Sequence, residues 1–269
     1  MVEHISSVLE QMLSRLEIRD VKGLYGHEET IAGNLKRLKE AMLNIGHLVD
    51  PIIVDGKTGV VLDGNHRLKV LDIIECPNVV CQIVDYQSPE IEVGTWYPTV
   101  AKTLDQLLKL DSIKHEKVDC EAGKEAVQNL RAPFMAMTPD GNCHLLNPGS
   151  YKMREMIEEQ SYIMTLLEKN EIDYIPDEEI KELLGLNRTV LYRRAYNKNE
   201  IVKAAQAHTP FPPKSTRHII PGRIIRLNMK LGWLHMDRNS AAAELKEMLS
   251  KRTYAGNVRK YYEPVIVIY

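Results

Sequence analysis

At 269 residues the chain is long enough for one large domain or two modest ones, and its 44% hydrophobic, 27% charged composition is that of an ordinary globular protein. The formal net charge of −2, from 35 basic and 37 acidic residues, lacks the basic excess that supplies most of a dedicated nucleic-acid binder's affinity, so a nucleic-acid partner is not expected. Cys76, Cys81, Cys120 and Cys143 match neither a CxxC pair nor a zinc knuckle, so no disulfide framework is expected. The amphipathic N-terminus does not read as a secretory signal, and no run approaches the ~20 apolar residues of a membrane helix. The expectation is a cytoplasmic protein with no membrane partner.

Residues 4–16 place apolar groups at helical spacing, and Gly23 and Gly26 then break the pattern. A second helix is expected over 29–43, with Ile31, Leu35, Leu38 and Met42 on one face and Gly46 as its stop. Residues 51–54 and 60–62 are β-branched runs around the turn chemistry of Asp55-Gly56-Lys57-Thr58-Gly59, which reads as a hairpin. A helix over 65–74 and a strand over 79–84 complete this half. The pattern turns loop-like around 94–98, and a new helix is expected over 100–110. A boundary near 107 divides the chain into 1–107 and 108–269. The second half reads as a helix over 150–169, a charged segment over 170–180, a helix–strand passage over 178–196 and a helix over 198–207. A proline-rich loop over 209–213 follows, and a final strand over 264–268 closes the chain. The fold class is α+β.

The junction at Asp63-Gly64-Asn65-His66-Arg67 carries the strongest chemistry. Gly64 allows a sharp turn and close approach to a ligand. Asn65, His66 and Arg67 fall in the first turn of a helix, whose backbone N–H groups lack intrahelical acceptors and, with the positive end of the helix dipole, favour an anion. Arg67 can add a bidentate contact to phosphate and His66 a further donor, while Asp63 can cap the helix or hold a magnesium ion bridging phosphates.

The order helix, hairpin, D-G-x-H-R, helix resembles the ParB/sulfiredoxin superfamily, which includes plasmid-partition proteins, sulfiredoxins and free-serine kinases. Three further segments are similar to the kinases. His27-Glu28, in a glycine-bounded loop, resembles the position of their catalytic glutamate. Thr95-Trp96-Tyr97-Pro98 is similar to a segment of the archaeal enzymes, and Pro213-Lys214-Ser215-Thr216-Arg217-His218 to a run near their C-terminus. The resemblance covers both halves of the chain. A sulfiredoxin needs a cysteine in the phosphate loop, and none lies between Asp63 and Leu68. Asn65 stands where the archaeal kinases tend to carry a second histidine.

The resemblance implies a kinase that moves the terminal phosphoryl group of ATP or ADP, with magnesium, to the hydroxyl of free L-serine or a similar small compound such as threonine or a polyol. It implies Glu28 as base, with His66 and Arg67 neutralising the transferred group and residues 63–67 holding the nucleotide. His27, Thr95, Trp96, Ser215, Thr216, Arg217 and His218 would surround the acceptor, and the active site is expected in the cleft between the two domains. A competing signal lies over 178–194, where an apolar-striped helix, Gly185 and a stretch bearing Asn187, Arg188, Thr189, Tyr192 and Arg193 read like a helix-turn-helix of a ParB-like DNA-binding protein.

Overall fold

The computed structural model describes residues 2–100, 112–167, 172–185 and 188–261. Apart from Val100, the helix expected over 100–110 lies outside these residues, as does the strand expected over 264–268. The chain divides into two compact units: Met1–Gly26, Thr30–Tyr86 and Gly222–Tyr269 form the first, and His27–Glu29 with Gln87–Pro221 form the second. The division interleaves along the chain instead of following one cut near 107.

The first unit holds α1 (Val2–Leu13), β1 (Leu16–Asp20), β2 (Tyr25–Gly26), α2 (Ala32–Ile45), β3 (His47–Leu48), β4 (Ile52–Asp55), β5 (Val60–Asp63), α3 (Asn65–Ile73) and β6 (Asn78–Val84). Five of its strands form one sheet in the order β1-β6-β4-β5-β2. The expected hairpin is present: β4 and β5 pair antiparallel. Its turn is organised by the buried Asp55, whose carboxylate accepts from the Thr58 N–H and hydroxyl and from the Tyr86 N–H. Gly46 stops α2 in the left-handed conformation, its N–H bonded to the Met42 carbonyl.

β4 and β6 are central strands buried on both faces over most of their length, which explains why they are rich in β-branched residues instead of alternating. Ile52, Val54, Val61, Val79 and Val80 meet Val70 and Leu71 of α3 in the core. Two features that periodicity did not announce complete this unit. β1 extends the sheet, and residues 222–261 return to this unit: Met229 pairs opposite Leu48 of β3 in a separate two-stranded ribbon, and helix Arg238–Tyr254 buries Leu245 and Leu249 in the same core.

The second unit is built on a six-stranded sheet in the order β12-β8-β13-β10-β11-β9, with β7 (Glu92–Gly94), β8 (Tyr97–Val100), β9 (His115–Val118), β10 (Phe134–Met137), β11 (Cys143–Leu146), β12 (Ile172–Ile175), β13 (Thr189–Tyr192) and β14 (Arg217–Ile219). β14 pairs with β7 in a separate two-stranded ribbon. The loop expected at 94–98 is in fact largely strand. β8 is fully buried in the sheet although Pro98, which cannot donate to a ladder, sits within it. That proline and the neighbouring glycine give the segment its loop-like look.

The helix-turn-helix reading is corrected here. Helix Ile180–Gly185 exists, but the supposed recognition helix is β13, whose Thr189, Val190 and Leu191 are buried between β8 and β10. Residues 186–187 of that signal lie outside the described ones. β-branched and aromatic residues in Thr189-Val190-Leu191-Tyr192 favour a strand over a helix.

The expectation of no disulfide is also overturned. Cys120, at the start of helix Cys120–Gln128, is bonded to Cys143 of β11, with Cα atoms 5.3 Å apart. A separation of 23 residues in the chain carries no such information; the docking of that helix on the sheet creates the proximity. One ground for expecting a reducing compartment is thereby withdrawn. Cys76 and Cys81 are buried free thiols, and burial pushes both up, Cys81 to about 12. Among the described residues no helix is long and apolar enough to cross a membrane.

Candidate active site

In the first unit, β5 ends at Asp63 and α3 begins at Asn65, as the sequence indicated. Gly64 between them has φ +105°, a conformation that side-chain-bearing residues rarely adopt. A Cβ at Gly64 would also press to 3.1 Å from the Arg67 guanidinium and from Ile52. No side-chain cap hydrogen bond closes the start of α3, where the positive end of the helix dipole lies. Asn65 packs closely on the end of β2, its Oδ1 only 3.0 Å from where a Cβ on Gly26 would stand.

The side chains of this loop differ from expectation in what they touch. Arg67, expected to fork onto phosphate, donates from one Nη to the carbonyls of Asp50 and Pro51, both at 2.9 Å, and from the other to Asp63 at 2.9 Å. It fastens α3 to the end of β5 and to the segment that leads into β4. His66 accepts the Ile31 N–H through Nε2 at 3.0 Å, at the start of α2, so the neutral ring carries its proton on Nδ1.

Asp63 Oδ2 is shared between Arg67 and Arg223. Among the described residues no group of three or more His, Cys, Asp or Glu is placed to hold a metal. The described chain therefore builds no metal cage of its own around Asp63.

The second unit gathers the other expected residues. The backbone of 27–29 is zipped to Phe211: the Phe211 N–H donates to the His27 carbonyl and the Glu29 N–H to the Phe211 carbonyl, each at 2.8 Å. This presents Glu28 to the turn at 214–216. Glu28 Oε1 accepts the Thr216 N–H at 2.7 Å and the Thr216 hydroxyl at 2.6 Å, while Oε2 accepts the Lys214 N–H at 3.2 Å. Because the Thr216 hydroxyl spends its one proton on the carboxylate, its 2.8 Å contact with His27 Nε2 has to be received from an Nε2–H. His27, Thr216 and Glu28 thus form a directed chain ending on a carboxylate. His218 stands edge-on to His27, ring centroids 5.1 Å apart.

The two motifs on either side of this chain are tied by a residue the sequence does not single out for this role. Arg193, just past the end of β13, is wholly buried and donates through Nε to the Thr95 hydroxyl at 3.1 Å and through Nη to the Lys214 carbonyl. Thr95 in turn donates to the Ser215 carbonyl at 2.9 Å. Burial pulls Arg193 below the ordinary guanidinium value, against the opposing pull of Tyr196, Tyr174, Glu28 and Tyr97. Its only sequence signal is a charge beside a strand-like run, and within a helix-turn-helix reading that charge points to bases instead of to Thr95.

Trp96 has Lys214 Nζ and the Arg217 guanidinium each 5.3 Å from its ring centroid, a cation-lined aromatic face. Arg217, expected among the residues around the acceptor, donates to Glu178 at 2.9 and 3.0 Å, an exposed pairing of modest strength. Ser215 is fully buried, and among the described residues its hydroxyl has no partner.

No family model matches the chain. It is 29% identical over 218 residues to an ATP-dependent L-serine kinase of Staphylothermus marinus, spanning 75% of this chain and 84% of that relative. An ADP-dependent L-serine kinase of Thermococcus kodakarensis is 23% identical over 212 residues, 76% of this chain and 87% of the relative. Among solved structures, a free serine kinase in complex with AMP matches with a TM-score of 0.67 at 21% identity, covering 82% of this chain and 93% of that one. SbnI with a C-terminal truncation, from Staphylococcus aureus, matches with a TM-score of 0.71 at 16% identity, covering 90% and 99%. These likenesses show that the chain shares the fold of those structures, in keeping with the α+β architecture described above.

Proposed function

We propose that this chain belongs to the ParB/sulfiredoxin superfamily and is a free-serine kinase, transferring the terminal phosphoryl group of ATP or ADP to the hydroxyl of L-serine. The observation that carries the reading is the Glu28 cradle. A carboxylate fixed by two backbone amides and a hydroxyl is the kind of preorganised group that takes a proton from an attacking alcohol.

In this reading the uncapped start of α3, with Gly64 giving close approach, receives the nucleotide phosphates. Glu28 accepts the hydroxyl proton as the serine oxygen bonds to the terminal phosphorus. The bond from that phosphorus to the bridging oxygen breaks, and the leaving nucleotide keeps the electron pair: ADP departs from ATP, or AMP from ADP. Trp96, walled by Lys214 and Arg217, and the Thr95–Thr216 surroundings set the size and charge of the acceptor site. Asp63 can offer its second oxygen to magnesium that arrives with the nucleotide. Similarity to L-serine kinases using ATP and ADP supports serine as acceptor over threonine or a polyol.

The test is a phosphoryl-transfer screen crossing ATP and ADP with L-serine, D-serine, L-threonine and glycerol, read by phosphorus NMR of the products. O-phospho-L-serine formed at the highest kcat/KM is expected. Turnover with glycerol but not with serine would overturn the acceptor assignment. The partition-type alternative loses its main support with the recognition segment folded as β13.

A further inference from the structure

We infer that Arg223, not Arg67, is the guanidinium that moves onto a bound nucleotide's phosphate, and that the buried Gln82 sets it in place. The inference rests on the proposed nucleotide site and names a binding residue within it.

Two guanidinium groups and one carboxylate meet at the phosphate loop, so the pairing of Asp63 with Arg67 and Arg223 leaves one positive charge in surplus. That surplus sits beside the start of α3, which no side chain caps. The two arginines are not equivalent. Arg67 is 17% exposed and committed to the Asp50 and Pro51 carbonyls as well as to Asp63, so moving it away would break three hydrogen bonds. Arg223 is 42% exposed and bonds to Asp63 through an oxygen that Arg67 also holds. Moving Arg223 to a phosphate therefore leaves Asp63 still paired.

The main chain on both sides of Arg223 is clamped. Gln82 is fully buried in β6; its Nε2 donates to the Gly222 carbonyl at 3.1 Å and its Oε1 accepts the Ile224 N–H at 2.8 Å. Arg15 adds a second donor to the Gly222 carbonyl at 2.7 Å. A buried amide that satisfies both ends by gripping the residues flanking one arginine fixes where that arginine's Cα stands, while its side chain remains partly in solvent. An incoming phosphate offers Arg223 a bidentate, charge-assisted partner stronger than a shared carboxylate oxygen.

The experiment is calorimetric titration of the full chain with ADP, for wild type and R223Q. Removing one charge-assisted hydrogen-bonding group from the phosphate predicts roughly a ten- to hundredfold weaker affinity, with the melting temperature nearly unchanged because Arg67 still pairs Asp63. A second measurement needs no variant: in the wild-type chain, saturating ADP should protect Arg223 from phenylglyoxal, read by peptide mass spectrometry. Equal ADP affinity of R223Q and wild type, or modification of Arg223 at the same rate with and without ADP, would overturn the inference. Failure of the wild-type chain to bind either ADP or ATP would instead sink the proposed function.

Discussion

Replacing Glu28 with glutamine changes one atom of the proposed base and keeps its shape, so its consequences can be worked from the cradle. The glutamine carbonyl can still accept the Thr216 N–H and hydroxyl that now converge on Oε1 at 2.7 and 2.6 Å. Its amide nitrogen then faces the Lys214 N–H, so the 3.2 Å bond to Oε2 becomes two opposed donors. Loss of that one bond to a formerly charged acceptor costs about 1–3 kcal/mol, which for a chain of this size lowers the melting temperature by roughly 2–4 °C per kcal/mol.

Turnover should fall much further. Loss of a general base typically removes about 10²–10⁴-fold, because the amide cannot take the hydroxyl proton. ADP affinity, measured by calorimetry, should stay within about threefold, since none of residues 63–67 is touched. Phosphoserine formation followed by phosphorus NMR, alongside a thermal melt, separates the outcomes. A folded E28Q protein with kcat near wild type would refute Glu28 as the base. Loss of nucleotide affinity in step with turnover would show that Glu28 builds the site instead of acting in it.

Thr216→Val leaves the His27 Nε2–H facing a methyl group in a buried setting, at a cost of about 1–3 kcal/mol; kcat should drop with it and recover in Thr216→Ser, and equal kcat in the valine variant would remove Thr216 from the relay. Gly64→Ala forces a Cβ into the φ +105° turn and against Arg67, costing about 1–3 kcal/mol and weakening ADP binding; a melt and ADP titration matching wild type would contradict the tight-turn account. Cys120→Ser opens a cross-link between residues 23 apart in the chain, worth about 3 kcal/mol in the chain-entropy model. A chemical melt with and without reductant should show wild type falling to the variant's midpoint, and a reductant-insensitive wild type would argue that the bond contributes nothing.

The sequence by itself determined the local pieces: the Asp55-Gly59 hairpin, the Gly46 stop and the strand–Gly64–helix junction, because each is dictated by residues adjacent in the chain. It also marked Glu28 and the 213–218 run as chemically loaded, although on resemblance more than on spacing. What it could not fix were relations between distant segments. That Glu28 meets Thr216, that Arg193 grips Thr95 and Lys214, and that Cys120 reaches Cys143 depend on packing across separations of 188, 98, 21 and 23 residues.

Burial decided the rest. The Thr189–Tyr192 segment became a sheet strand because its apolar residues had a core to enter on either side, and Pro98 was accommodated within β8. At Asp63 to Arg67 the sequence supplied the turn and the charges. Only the folded chain decided which charge is locked: Arg67 is held by the carbonyls of Asp50 and Pro51, and Arg223, 160 residues beyond Asp63, is brought beside the loop by a buried glutamine.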